Sequence, residues 1–160
     1  NHASFLRLNH YPVDDILEEE EKTKTTPLGD MALHHHTDAG VLTILLQDAV
    51  GGLQVQVGND WIDVTPVENA FVVNVGDMMQ VWSNDRYRAA VHRVRPIPGR
   101  SRYSIPFFFN PSYGTVCTPI VQPGEKALYR PVKWSEFRGE RAKGDFGDYG
   151  TEIQISAFRI

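Results

Sequence analysis

His36-Thr37-Asp38 sets an imidazole and a carboxylate two residues apart, and on a β-strand that spacing aims both side chains at one face, where they can grip one cation. Alone the pair says little. With 6 histidines and 11 aspartates in 160 residues, chance supplies a His-x-Asp about 0.4 times, and a solvated polar strand end would look the same. His92 adds weight, because it stands among Ala89, Ala90, Val91 and Val94, where a ring able to carry charge has no evident packing role. Two histidines and one carboxylate suit ferrous iron, filling one face of its octahedron and leaving three positions open. The zinc counterpart of this donor set usually comes with a helical His-Glu-x-x-His, which the chain lacks.

Ten residues past His92, Arg102-Tyr103-Ser104 again places its first and third side chains on one face, where a guanidinium and a hydroxyl make a socket for a carboxylate. Charge gives the socket a reason. Iron at +2, one aspartate at −1 and a bound dicarboxylate at −2 leave a buried −1, which one arginine cancels, and a buried charge left unpaired costs several kcal/mol. A surface arginine would read the same in the sequence.

The elements that must position these groups are strands. Runs rich in Val, Ile, Phe and Thr recur between turn residues, the pattern of an all-β sandwich or barrel. Strands are expected at Phe5–Tyr11, ended by Pro12, and through the histidine-rich Met31–Gln47, which the Gly51-Gly52 turn follows. Leu53, Val55 and Val57 alternate with polar or small residues in the next. Trp61–Val64, Phe71–Val75 ended by Gly76-Asp77, Met78–Trp82, Ala89–Val94 and Arg102–Phe109 complete about eight strands. After Pro111, Trp134 and Phe137 at helical spacing between Pro131 and Gly139 predict one short helix, and Gly144 to Gly150 reads as loop.

Composition excludes several classes. The chain has 160 residues, 41% hydrophobic and 22% charged, which suits one soluble globular domain, and no apolar run nears the roughly 20 residues of a membrane helix. The net charge is −4, but six acids crowd Asp14–Glu21, and without them the remainder carries +2. Neither a nucleic-acid groove nor a polybasic membrane patch is indicated. Cys117 is the single cysteine, so no internal disulfide forms, and a cytoplasmic setting is expected. The first residues lack the pattern of a secretory signal, and the chain reads as a piece of a longer protein.

The sequence resembles the catalytic core of the Fe(II)- and 2-oxoglutarate-dependent oxygenases, in the branch of anthocyanidin synthase and the gibberellin oxidases. The resemblance rests on Leu6-Arg7-Leu8-Asn9-His10-Tyr11-Pro12, His36-Thr37-Asp38, Leu42-Thr43, Gln47-Asp48, Gly52-Leu53-Gln54-Val55, Gly76-Asp77, Ser83-Asn84, His92-Arg93 and Arg102-Tyr103-Ser104, in order along the chain. It implies a double-stranded β-helix, or jelly roll, with a short C-terminal helical segment, residues 1–160 forming the catalytic core. It implies Fe(II) on His36, Asp38 and His92, and 2-oxoglutarate on Arg102 and Ser104 with contacts from Tyr11 and Asn9. It implies dioxygen as second co-substrate, ascorbate as a candidate reductant, and oxidation of a small organic substrate with release of succinate and carbon dioxide. Family members carry a long, mostly helical segment before this core, which the chain does not include.

Other side chains have weaker claims. His34 shares the parity of His36 and is a candidate pocket residue, His35 should face away from the metal, and Phe108, in step with Arg102 and Ser104, is a candidate substrate contact. Two readings compete with the main one. The first is a ferrous oxidase that needs no 2-oxoglutarate, as in the similar isopenicillin N synthase and 1-aminocyclopropane-1-carboxylate oxidase. The second is a jelly-roll module that binds without turnover. Oligomeric state and the prime substrate are not written in the motifs.

Overall fold

A computed structural model describes residues 2–13, 33–146 and 153–160, the side chains of residues 33, 34 and 143–146 excepted. Two antiparallel sheets face each other. The larger joins β1 (Phe5–Leu6), β2 (Asn9–Tyr11), β4 (Leu42–Gln47), β7 (Val72–Val75) and β9 (Arg102–Phe109), with β9 at its centre, β1 and β2 paired to one of its edges and β4 to the other. The smaller runs β3 (Leu33–His36), β8 (His92–Val94), β5 (Leu53–Val57), β6 (Asp60–Asp63). This is the jelly roll that the sequence implied.

Alternation shapes β9 as expected: Arg102, Ser104 and Pro106 are buried while Tyr103, Phe107 and Phe109 are exposed on the other face. The expected strand over Phe5–Tyr11 is two short ones, and that over Met31–Gln47 splits at residues 37–41. Residues 14–32, including the acidic run, lie outside the described residues.

Met78–Trp82 is not a strand. Residues Asp77–Trp82 form helix α1, because Gly76 and the first helical N–H groups turn onto the loop after β3: Gly76 N–H donates to Val41 O, Asp77 N–H to Asp38 O and Met78 N–H to Gly40 O, at 2.8–2.9 Å. The approach is so close that a Cβ on Gly76 would meet Gly40 O at 2.4 Å, so only glycine fits. Met78 and Val81, three apart, are then fully buried on one helical face. The strand expected from Ala89 begins only at His92, since Ala89 N–H is taken by the Gln80 side chain at 2.8 Å rather than by a neighbouring strand.

Beyond the sheets, β10 (Val116–Cys117) and β11 (Val132–Lys133) form a small ladder that leads into helix α2 (Trp134–Phe146). The helix runs past Gly139 and Gly144, each about 1 kcal/mol poorer than alanine in a helix, because Trp134, Phe137 and Arg141 bury one face. Its last turn takes in part of the loop expected from Gly144; residues 147–150 lie outside the described residues. The hydrophobic core joins Met78, Val81, Cys117, Tyr129, Trp134 and Phe137, so dense packing sits under the helices. Burial pushes the Cys117 thiol up to about 12, so it packs as an inert apolar group. The space between the sheets is left as a cavity of about 420 Å³.

Candidate metal centre and co-substrate pocket

His36 and His92 are direct cross-strand partners in the smaller sheet, which brings their ring centroids to 4.4 Å. Asp38 lies beyond the end of β3, not on it as the alternation reading assumed. It is aimed at the rings instead by the loop that α1 pins, and its Oδ1 stands 3.6 Å from His36 Nε2 and 3.7 Å from His92 Nε2. These three ligand atoms all lie within 4.8 Å of one another. The donor chemistry fits a divalent cation. Thr43 Oγ1 and Asn74 Nδ2 donate to Asp38 Oδ2 at 2.5 and 2.8 Å, leaving Oδ1 directed at the histidines. His92 Nδ1 faces the Ala90 carbonyl at 3.1 Å, and since a carbonyl can only accept, Nδ1 carries the proton and Nε2 presents its lone pair.

Burial pushes the Asp38 carboxyl up, but contact with His36, the charge of His92 and the donors Thr43 and Asn74 outweigh it and hold the group well below the usual carboxylate range. Burial also holds His92 below its ordinary 6.5, against the pull of the Asp38 charge. Both ligands are therefore ready for a cation at neutral pH. Because the folded His92 binds its proton more weakly than the unfolded chain does, the metal-free fold loses stability as pH falls from 6.5 through the lowered value. In the metal-free protein an NMR titration of the His92 ring should show a midpoint below pH 6.5, and a midpoint at or above that value would contradict the burial described.

On the facing sheet, Arg102 is 3% exposed and its guanidinium has only neutral partners among the described residues: Gly51 O at 2.8 Å, Gln47 Oε1 at 3.1 Å and Ser104 Oγ at 3.2 Å. The Gly51-Gly52 turn, with φ of 88° and 89°, supplies the first of these by a backbone conformation that suits glycine. Asn9 pairs with Ser104 and Tyr11 with Arg102 along β2–β9, so Asn9 Nδ2 donates to Ser104 Oγ at 3.3 Å and the Tyr11 ring lies 5.0 Å from the Arg102 guanidinium carbon. All four line the cavity, together with His36, Asp38 and His92. A buried cation with no anionic partner is a site for one.

Residues 2–111 match the family model of the 2OG-Fe(II) oxygenase superfamily. The chain belongs to that superfamily. It is 43% identical over 132 residues to the 2-oxoglutarate-Fe(II) type oxidoreductase hxnY of Emericella nidulans, a match covering 79% of this chain and 36% of the relative. Gibberellin 2-beta-dioxygenase 5 of Oryza sativa subsp. japonica is 37% identical over 159 residues, covering 97% of the chain and 43% of the relative. Among solved structures, a full-length Neurospora crassa protein crystallised in complex with alpha-KG and thymine superposes with a TM-score of 0.71 at 35% identity, over 89% of this chain and 44% of that one. The chain thus spans about two fifths of the length of the curated relatives it matches.

Of the other candidates for a role in this superfamily fold, Phe108 lines the cavity, stacked on Phe5 with centroids 4.9 Å apart. His35 is exposed near Trp61, away from the cavity. The His34 side chain lies outside the described residues. Sequence reasoning assigned no role to Thr43, Gln47, Asn74 or Arg141. Asn74 was findable as the one polar residue within Val72–Val75, and Thr43 by its strand parity with cavity-lining Leu45. Arg141 gave no signal, since its partner Asp77 is 64 positions away.

Proposed function

We propose that this chain is the catalytic core of an Fe(II)- and 2-oxoglutarate-dependent oxygenase. In this reading His36, Asp38 and His92 hold the iron, Arg102 with Ser104 holds the far carboxylate of 2-oxoglutarate, and Tyr11 and Asn9 frame that carboxylate. The observation that carries it is one cavity with a His-Asp-His donor set on one wall and, on the other, a buried guanidinium that among the described residues pairs only with neutral groups. Iron with bound 2-oxoglutarate and dioxygen supplies the oxidation of a substrate C–H bond, with release of succinate and carbon dioxide.

The protein's own part is placement and exclusion of water. Thr43 and Asn74 fix the Asp38 carboxylate, and the Ala90 carbonyl fixes the His92 tautomer. Arg102 balances the charge of the diacid and Ser104 offers it a hydroxyl, while Gln47 and the Gly51 carbonyl keep the guanidinium in register. The valine and leucine side chains in the wall lower the local polarity, which strengthens charge interactions inside the cavity. The prime substrate is a small organic molecule, in keeping with the gibberellin in one relative's name and the thymine bound to another. Among the described residues no helix is long and apolar enough to cross a membrane, and with the lone thiol of Cys117 buried, we place the protein in the cytoplasm.

Anaerobic addition of 2-oxoglutarate to the ferrous full-length protein should produce a visible metal-to-ligand charge-transfer band, followed in air by iron-dependent succinate release. Arg102→Ala should raise the 2-oxoglutarate concentration that half-saturates the band about 30-fold or more while iron affinity stays unchanged, the minimum expected when a buried carboxylate loses its cation. Absence of the band in the unsubstituted protein would favour the oxidase that needs no 2-oxoglutarate; a band without succinate release would favour a binding module.

A further inference from the structure

Gln80 is a long amide on helix α1, 8% exposed, and both ends of its side chain are engaged. Its Nε2 donates to Asp85 Oδ1 at 3.0 Å and to Tyr129 Oη at 2.7 Å, and its Oε1 accepts from Ala89 N–H at 2.8 Å. The network forces that orientation. Tyr129 Oη gives its one hydrogen to Asp85 Oδ1 at 2.5 Å, so toward Gln80 it can only accept. Turned over, the amide would set its oxygen against two acceptors and its nitrogen against a donor.

Asp85 is itself held from two directions. Asn84 and Asp85, at φ of 52° and 68°, turn the chain back after α1 in a conformation these two residue types tolerate, which brings Asp85 beside Gln80. From the end of the chain Arg159 donates to Asp85 Oδ2, in a segment tied down by Arg130 N–H to Phe158 O at 3.0 Å and Ile160 N–H to Leu128 O at 3.1 Å.

What Gln80 holds leads to an iron ligand. Residues 89–91 lie between α1 and β8, outside any strand. At one end Ala89 N–H rests on Gln80, and at the other Val91 O accepts from Gln56 N–H at 2.8 Å. Between these anchors stands Ala90 O, the carbonyl that takes the His92 Nδ1 proton at 3.1 Å and so leaves Nε2 free to bind metal. Among the described residues no other backbone bond ties residues 89 and 90. Without Gln80 the dihedrals ahead of the carbonyl regain freedom, and the carbonyl loses its fixed aim.

We propose that Gln80 is a positioning residue for the iron centre: by fixing Ala89 it sets the Ala90 carbonyl, which keeps the His92 ring in the tautomer that binds metal. The inference rests on the iron reading above and adds to it a side chain outside the cavity wall.

The test uses the full-length protein. Metal-free at pH 8, nitrogen-15 NMR should show His92 as the Nδ1–H tautomer, and the Ala89 amide should exchange with deuterium about 100-fold slower than in an open chain. Gln80→Met keeps length but removes the acceptor; Ala89 is half-buried, so its N–H can turn to water and the fold is kept, as circular dichroism will show. In this variant the Nε2–H tautomer should become visible, and Fe(II) affinity, read anaerobically by chelator competition, should fall about tenfold, the low end for groups that orient a ligand. Gln80→Glu combined with Asp85→Asn moves the carboxylate across the contact, keeps an acceptor for Ala89, and should hold the affinity within about twofold of the unsubstituted protein. The proposal is overturned if the Ala89 amide exchanges freely, if Gln80→Met keeps either the tautomer or the affinity, or if the swapped pair loses as much as Gln80→Met. Should Gln80→Met fail to fold, amide exchange and the swapped pair decide. An unsubstituted protein that does not bind Fe(II) instead refutes the iron reading, and the inference falls with it.

Discussion

Alanine at position 92 should lower succinate formation by about 10³-fold or more and abolish stoichiometric iron binding, while the fold survives. Among the described residues the donor set has no spare member. His36, Asp38 and His92 present one ligand atom each within 4.8 Å of one another, and two remaining donors cannot hold a labile divalent ion at working concentration. Substitutions behind the ligands should give graded losses. Thr43→Val removes a donor to Asp38 Oδ2 yet keeps shape, and the expected fall in metal affinity is about 10–100-fold, the range for residues that orient a ligand. The two effects separate by measuring metal affinity through chelator competition, activity through succinate, and integrity through circular dichroism. Equal losses for His92→Ala and Thr43→Val would mean that the triad is not the metal centre.

The strand framework was legible because period-two alternation is local. Arg102–Phe109 matches its expected bounds, since the inward set (Arg102, Ser104, Pro106) and the outward set (Tyr103, Phe107, Phe109) differ sharply in what they face. Met78–Trp82 misled for the same reason. It is too short for its helical period to show, and what makes it helical is the contact of Gly76 with a loop 36 residues earlier. The metal ligands were readable as residue types, but the reading put Asp38 on a strand with His36. Its aim comes from the hydrogen bonds of Gly76, Asp77 and Met78 to the loop, a tertiary constraint with no sequence period. The same closure hides the role of Arg141.

Replacing Arg141 with methionine should destabilise the fold by about 3–5 kcal/mol at pH 8, the cost of removing one partner from a buried ion pair. Asp77 and Arg141 are 0% and 2% exposed, and Arg141 Nη1 donates to Asp77 Oδ2 while its Nη2 donates to the Thr37 carbonyl at 2.7 Å. Thr37 lies between two metal ligands, so the pair clamps the loop that aims them. Asp77 is poorly solvated even with its partner: its Oδ1 is buried with no hydrogen-bond partner among the described residues, and burial pushes the carboxyl up to about 6 despite the charge of Arg141. The folded state therefore binds this proton more tightly than the unfolded chain, and its contribution is most favourable below about 4 and is lost as pH rises through 6. Without Arg141 the carboxyl rises further, and the loss steepens toward pH 8. Urea denaturation should accordingly find Arg141→Met markedly less damaging at pH 5 than at pH 8. Adding Asp77→Asn should recover much of the pH 8 loss, because no charge is then left buried. Metal affinity should also fall by about 10–100-fold in Arg141→Met, through the freed Thr37 carbonyl, in a variant still folded at pH 5. A pH-independent loss under 1 kcal/mol would show that the pair does not brace the loop.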